Sequence, residues 1–313
     1  MDTFKFSTPQ LFFMEAEVRT LKYPLIYLFR PNRTIMVSII TGTAAYASTA
    51  GLSEEFRVLS SLVVTLIGWC LAVSGFSLDF CADREMDKIA PRSTIRSNPI
   101  ATGQIPVKTG FIFSMIFLFL SFSLSVLFSW IGYINWWIFI PWTLIVLVLI
   151  GLALHWFETP LSRSFTLGLL QTLYFFMGIT VGKINLGLIL IALMFFFAMF
   201  GGRGVTDIRD FPIDKETPVQ TMPKKYGLKN TARIVAISLI IAYILSFTAY
   251  FTGWYNPIYL YLNIIYIITG LMLIAIFLLK PTPKLAKNIT MIFMMGQGTL
   301  ICLAIILGTI NFA

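Results

Sequence analysis

Nine charge-free runs of about twenty residues divide the chain: Thr34–Leu52, Val58–Leu78, Thr109–Trp130, Asn135–Phe157, Ser164–Gly182, Ile184–Gly202, Ile234–Thr252, Pro257–Leu279 and Asn288–Leu307. Each is long enough to carry a helix across a bilayer. Two uncharged stretches are too long for one crossing. The first breaks at Gly132-Tyr133-Ile134-Asn135 and the second at Gly253-Trp254-Tyr255-Asn256-Pro257. Glycine, asparagine and proline supply turn chemistry at both places. The pattern predicts an all-α integral membrane protein. Ahead of the first run, Leu11, Met14, Val18, Leu21, Leu25 and Leu28 recur at spacings of three and four, with Glu15, Glu17, Arg19 and Lys22 between them. This segment reads as an amphipathic stretch lying on the membrane and broken at Pro24, not as a secretory signal.

Composition agrees with that pattern. The chain of 313 residues is 58% hydrophobic and 12% charged, against about a quarter charged in soluble domains. With nine crossings, the N-terminus and the loops after the second, fourth, sixth and eighth runs share one side. That side holds 21 of the 23 Lys and Arg, and the other holds only Arg57 and Lys183. Positive charge stays cytoplasmic. The N-terminus and those loops are therefore expected inside, and the C-terminus on the opposite side. The net charge of +9 is then a topology signal, with a surplus for anionic lipid or an anionic substrate, and needs no nucleic-acid partner. Cys70, Cys81 and Cys302 form neither a ligand spacing nor an even disulfide set, and read as buried bystanders.

Twelve of the 14 acids also fall on the positive side, and six of them form two clusters. Asp79, Asp83 and Asp87 recur every fourth residue after the second run, within "SLDFCADREMDK". Asp207, Asp210 and Asp214 follow the sixth. Like charges four apart on a helix repel. At about 6 Å and an effective dielectric near 20, each neighbouring pair costs roughly 2–3 kcal/mol. A divalent cation between them reverses the sign. Hard oxygen ligands suit Mg²⁺, which binds through a few carboxylates plus substrate phosphates. Nearby Arg84, Lys88, Arg92, Arg96, Lys215, Lys224 and Lys225 can hold the rest of a polyanion. Two acid clusters with Mg²⁺ and basic side chains make a diphosphate site. A diphosphate at a membrane surface points to an isoprenyl diphosphate, whose tail belongs in hydrocarbon. Trp69, Phe76, Phe80, Trp156, Phe157 and Phe200 are candidate aromatic neighbours for the prenyl chain and for a carbocation, which aromatic faces stabilise by about 0.5–2 kcal/mol each.

These residues resemble the UbiA family of intramembrane prenyltransferases over nearly the whole chain. The family carries Asn-x-x-x-Asp-x-x-x-Asp after its second helix. This chain has Asp79, Asp83 and Asp87 there, with Asp at the usual Asn position. The "APRS" and "NPIATG" stretches resemble the family's next segment, with Asn98 replacing its usual Arg. The run "DFPIDKETPVQTMPKKYG", from Asp210 to Gly227, resembles the second signature, with Gln220 where Lys is common. "LFRP", Leu28–Pro31, looks like the family's Arg-Pro entry to helix 1. After the fourth run the family often places Tyr and Lys, whereas this chain has "HWFETPLSR" with Trp156, Phe157 and Arg163. His155, the single histidine, reads as an interfacial helix-end residue.

The resemblance implies one domain over 1–313, with residues 1–32 as the amphipathic segment. Residues 33–313 would form a nine-helix bundle around a lipid-accessible central cavity. It further implies that Asp79, Asp83, Asp87, Asp207, Asp210 and Asp214 hold Mg²⁺ against the diphosphate of an allylic donor. Arg92, Arg96, Arg163, Lys215 and Lys225 would neutralise the leaving group. An aromatic quinone precursor, a tetrapyrrole or a prenylglycerol phosphate is the implied acceptor class. Two other readings stay open at this level. One is a terpene cyclase of the same superfamily acting on the diphosphate alone. The other is a transporter, whose ionisable residues belong near the bilayer midplane rather than at run ends. The charge asymmetry yields a direct expectation. A reporter cysteine after Ala313 reacts with an impermeant reagent from outside, and reaction only from inside overturns the orientation.

Overall fold

The structure, a computed structural model, describes residues 24–89, 98–157, 159–215 and 220–310. Residues 1–23 of the amphipathic segment, Arg92, Arg96 and Glu158 lie outside the described residues. Within them the chain is helical: α1 (Pro24–Phe29), α2 (Pro31–Ser48), α3 (Glu54–Ala82), α4 (Arg84–Ile89), α5 (Val107–Trp130), α6 (Phe139–Ala153), α7 (Pro160–Ile179), α8 (Leu186–Asp214), α9 (Met222–Tyr250), α10 (Pro257–Leu279), α11 (Pro283–Met291) and α12 (Gly298–Gly308). A 3₁₀ turn (Trp136–Ile138) leads into α6, and a π-helical turn (Ile292–Gln297) joins α11 to α12.

The two long uncharged stretches break where the turn residues stand. Gly132 and Gly253 take positive φ of 83° and 74°, which glycine adopts without a Cβ penalty. The following asparagines cap the next elements: Asn135 Oδ1 accepts from Trp137 N at 3.2 Å and Asn256 Oδ1 from Ile258 N at 2.9 Å.

Among the described residues, six segments are long and apolar enough to cross a membrane: α3, α5, Trp136–Ala153, α8, α9 and α10. The other three expected runs fall on α2, α7 and the α11–α12 segment. The first two are more polar because they are interior. Helix α2 buries Thr34, Ser38, Thr41, Thr43 and Ser48, and α7 buries Ser164, Thr166, Gln171 and Thr172. Several of these hydroxyls donate back along their own helix, Thr41 to Val37 O at 2.9 Å and Thr172 to Gly168 O at 3.0 Å. Helices α5 and α10 carry the complementary character, with Phe119, Tyr261 and Met272 exposed. Exposed apolar surface on this scale belongs against lipid.

Helix α2 lies between α3 and α7, and α8 packs against α7 and α9. Both main cores draw on α2 and α7. Ile40, Ala44 and Phe175 join the core with α8–α10 and α12, while Ala45, Tyr174 and Met177 join the core with α3. The α2–α7 contact is backbone to backbone. A Cβ on Gly178 would lie 2.2 Å from Thr41 O, and one on Gly182 would lie 2.2 Å from Ser48 O. Small residues are what allow helices in lipid to approach this closely. Gly178→Val should therefore destabilise the protein by about 1–3 kcal/mol, read as a lower unfolding temperature in detergent. Gly202→Ala, whose Cβ meets nothing within 4 Å, should leave that temperature nearly unchanged.

Candidate active site

A cavity of about 310 Å³ opens between α2, α3, α6, α7 and α8, with lining residues from α9, α10 and the α11–α12 segment as well. Its charged lining residues are Arg30, Arg33, Asp79, Asp83, Asp87, Arg163 and Arg203. The rest of the lining is mainly apolar and includes Met36, Ile40, Phe76, Leu149, Leu170 and Phe195.

The first acid cluster forms as its spacing predicts. Asp83 N donates to Asp79 O at 2.9 Å, and Asp87 N donates to Asp83 O at 2.9 Å. The four-residue bonds carry one helical face across the α3–α4 junction and bring all three aspartates to the cavity. Each has an organising contact. Arg30 Nη1 donates to Asp79 Oδ2 at 3.0 Å. Arg163, one turn into α7, lies 4.0 Å from Asp83 Oδ2. Asn98 Nδ2 donates to Asp87 Oδ2 at 3.0 Å and to Phe80 O at 2.9 Å. Asn98 Oδ1 accepts from Ile100 N at 2.9 Å. The departure at position 98 is thus a buried amide that ties its loop to the acid cluster. Glu85 turns away from this face. It is exposed, and the hydrogen bond from Lys88 holds its carboxyl below the usual carboxylate range.

Arg30 is placed by an unusual backbone. It caps α2 with φ 43° and ψ 59°, a left-handed conformation that costs a non-glycine residue energy unless its surroundings compensate. Its guanidinium lies 3.8 Å over the Phe80 ring and 5.3 Å from Phe76 as well as against Asp79.

The second cluster is held differently. Asp207 is buried, pairs with Arg203 at 2.9 Å and accepts from Met222 N at 3.4 Å at the start of α9. Asp210 takes a two-pronged contact from Arg209, at 2.7 Å for each bond. Asp214 is buried at the end of α8. These three are not among the cavity-lining residues. Arg203 links the two clusters electrostatically, since Asp207, Asp210, Asp214 and Asp79 all act on it. Lys215 and Lys225 are exposed and stand off the cavity.

The expected aromatic lining needs correcting, because only Phe76 of the six lines the cavity. Trp69 stacks on Phe29 at 5.8 Å within a cluster that includes Phe117. Phe80 is buried beneath Arg30. Trp156 is 67% exposed and, with Phe157, folds back toward Gly151. Phe200 stacks on Phe196 at 6.3 Å. The cavity uses Tyr174, Phe195 and Tyr266 instead, together with two buried amides, Gln171 and Gln297. Spacing could have found Arg33 and Arg203, which stand just outside charge-free runs and one turn from Arg30 and Asp207.

The sequence model of the UbiA prenyltransferase family matches residues 35–296. The chain belongs to the UbiA prenyltransferase family. A digeranylgeranylglyceryl phosphate synthase of Methanocaldococcus jannaschii is 26% identical over 284 residues, 91% of this chain and 95% of the relative. The synthase of that name from Methanosphaera stadtmanae is 26% identical over 77% of this chain and 83% of its own. Among solved structures, one from work on digeranylgeranylglyceryl phosphate synthase in membranes superposes with a TM-score of 0.71 at 25% identity. It covers 91% of this chain and 97% of its own. A UbiA homologue from Archaeoglobus fulgidus, bound to DMAPP and Mg²⁺, gives 0.68 at 17% identity over 90% and 98%.

The UbiA chain's own residues fit such a metal by donor type. Aspartates are hard oxygen donors, but among the described residues no three acids, cysteines or histidines are grouped closely enough to hold a metal ion. A cation held here would need further oxygens from outside the protein, of the kind phosphates offer Mg²⁺. The Arg30–Asp79 contact is testable by itself. Arg30→Ala, Asp79→Asn and the double variant should show a coupling of about 0.5–1 kcal/mol in unfolding free energy. Additive effects would mean that the pair does not hold α2 to α3.

Proposed function

We propose that this chain moves an isoprenyl group from an isoprenyl diphosphate to a prenylglycerol phosphate within the membrane. One observation carries the reading: a single cavity sets three aspartates and four arginines against a mainly apolar interior. Such a space matches a substrate with an anionic head and a hydrocarbon tail. The names of the synthase relatives favour the glycerol phosphate acceptor over an aromatic or tetrapyrrole one.

Asp79, Asp83 and Asp87 would hold Mg²⁺ against the diphosphate, with Asp207, Asp210 and Asp214 approaching from α8. Bound Mg²⁺ supplies positive charge to the departing diphosphate. Arg163 and Arg203 stabilise the same leaving group from α7 and α8. As the carbon–oxygen bond of the donor breaks, an allylic cation forms inside the apolar walls, which keep water away until the acceptor hydroxyl attacks. Phe76, Tyr174, Phe195 and Tyr266 are the aromatic side chains that line this cavity. The hydroxyl proton leaves with the diphosphate or a carboxylate at the rim.

The same reading takes α2, α7 and the α11–α12 segment as crossings, for nine in all, with the acid clusters cytoplasmic and the cavity open to lipid. The deciding experiment incubates purified protein with Mg²⁺ and donors of several lengths, with and without prenylglycerol phosphate, and identifies products by mass spectrometry. An ether-linked product that requires the acceptor and disappears on chelation is expected. A cyclised hydrocarbon from donor alone would overturn the transfer reading in favour of a cyclase. Asp83→Ala should lower turnover at least about a hundredfold, whereas Glu85→Ala should leave it within about twofold.

A further inference from the structure

The four arginines that line the cavity are not equivalent. Arg30 is engaged by Asp79 and Phe80, Arg163 faces Asp83, and Arg203 pairs with Asp207. Arg33 differs. Among the described residues, no hydrogen bond or ion pair reaches its guanidinium. The charges that act on it are mostly of its own sign: Arg30, Arg203 and Arg209, with Asp79 the acid among them. Half-buried in the cavity wall, it carries a charge that its neighbours leave unmatched, because Arg30, Arg203 and Arg209 already engage Asp79, Asp207 and Asp210, and this costs free energy until an anion arrives.

Its position on α2 indicates what that anion carries. Arg33, Met36, Val37 and Ile40 all line the cavity, and their spacing of three, one and three places them on one helical face. The cation therefore heads an apolar strip two turns long. This arrangement fits a phosphate attached to a lipid chain. The phosphate need not be the donor's. A diphosphate held through a divalent cation sits among carboxylates, which here are Asp79, Asp83 and Asp87 on α3 and α4. Arg33 stands among arginines, where a phosphate can be held without metal.

We propose that Arg33 is the phosphate-binding residue of the acceptor subsite, and that it makes the protein select an acceptor bearing a phosphate over the same lipid without one. The proposal rests on the transfer reading above and adds the residue that sets acceptor class. A neutral aromatic acceptor would leave this cation without a partner. Arginine also offers two parallel donors to phosphate oxygens, which lysine does not.

The test measures binding and turnover separately. First, prenylglycerol phosphate and prenylglycerol are titrated against the purified protein without Mg²⁺ or donor. The phosphate-bearing lipid should bind about ten- to hundredfold more tightly. Arg33→Ala should abolish that preference while leaving prenylglycerol binding unchanged, and Arg33→Lys should retain part of it. Second, Arg33→Ala should raise the acceptor KM by a similar factor with the donor KM within about twofold. A matched unfolding temperature checks that the variant is folded. An unchanged preference in Arg33→Ala overturns the proposal. So does a rise confined to the donor KM, which would assign Arg33 to the donor diphosphate. If the phosphate preference depends on Arg33 but no prenyl transfer occurs with any donor, the transfer reading fails while the subsite stands.

Discussion

The contact between α2 and α7 sets the geometry on which the cavity depends. Gly178 and Gly182 let α7 lie directly on the backbone of α2 between Thr41 and Ser48. No side chain spaces the two helices there, so their separation is fixed by main-chain atoms rather than by a compressible layer. Both helices also reach the cavity. Arg30 and Arg33 arrive on one wall, and Arg163, Gln171 and Tyr174 on the other. The same pair explains why the inner helices are poor in hydropathy. A helix enclosed by other helices can carry Thr, Ser and Gln if their hydroxyls and amides bond locally.

A second constraint follows from the apolar surroundings. Unpaired charges are costly in a bundle facing hydrocarbon, and this chain places its charges at helix ends. Asp79 and Asp83 close α3, Asp207, Asp210 and Asp214 close α8, and Arg30 and Arg163 open α2 and α7. Without substrate, Arg30, Arg163 and Arg203 sit against Asp79, Asp83 and Asp207, which leaves Arg33 as the cavity-lining arginine with no such partner among the described residues. On the transfer reading, an arriving diphosphate with Mg²⁺ would exchange partners rather than create charge, since arginines released from aspartates would become free for phosphate oxygens. The left-handed backbone of Arg30, clamped between an acid and two rings, keeps its guanidinium at that exchange point.

Much of this was legible in the sequence because it depends on local rules. Charge-free runs located the helices, and Gly132 with Asn135 and Gly253 with Asn256 located the breaks between them. The four-residue spacing of Asp79, Asp83 and Asp87 correctly put three carboxylates on one face, because helix periodicity needs no knowledge of the partner helices. The aromatic lining was not legible. Trp69, Phe80 and Phe200 are close in sequence to the acids, but which face of a helix meets the cavity is decided by its neighbours. Those neighbours turned Trp69 toward Phe29 and Phe200 toward Phe196. Trp156 escaped for a different reason: the chain turns at His155 with a φ of 57°, which swings the next residues out of the helical register. The role of Asn98 was equally hidden, since an asparagine replacing an arginine reads as a lost cation and not as a tether.

The departures from the family pattern also change the charge balance in a consistent direction. Asp79 adds an acid where asparagine is usual, while Asn98 and Gln220 each remove a cation that is common at their positions. Taken alone, these changes make the site more acidic and less suited to phosphate. Positive charge in the cavity comes instead from helix residues that include Arg33 on α2 and Arg203 on α8. In this chain the cations that line the cavity, Arg33 and Arg203 among them, stand on helix faces and not in the loops beside the acids. A loop cation can follow a mobile diphosphate, whereas a cation on a packed helix holds its anion at a fixed distance from the apolar strip beneath it. That fixed distance suits an acceptor whose phosphate must be anchored while its hydroxyl is presented to the prenyl group.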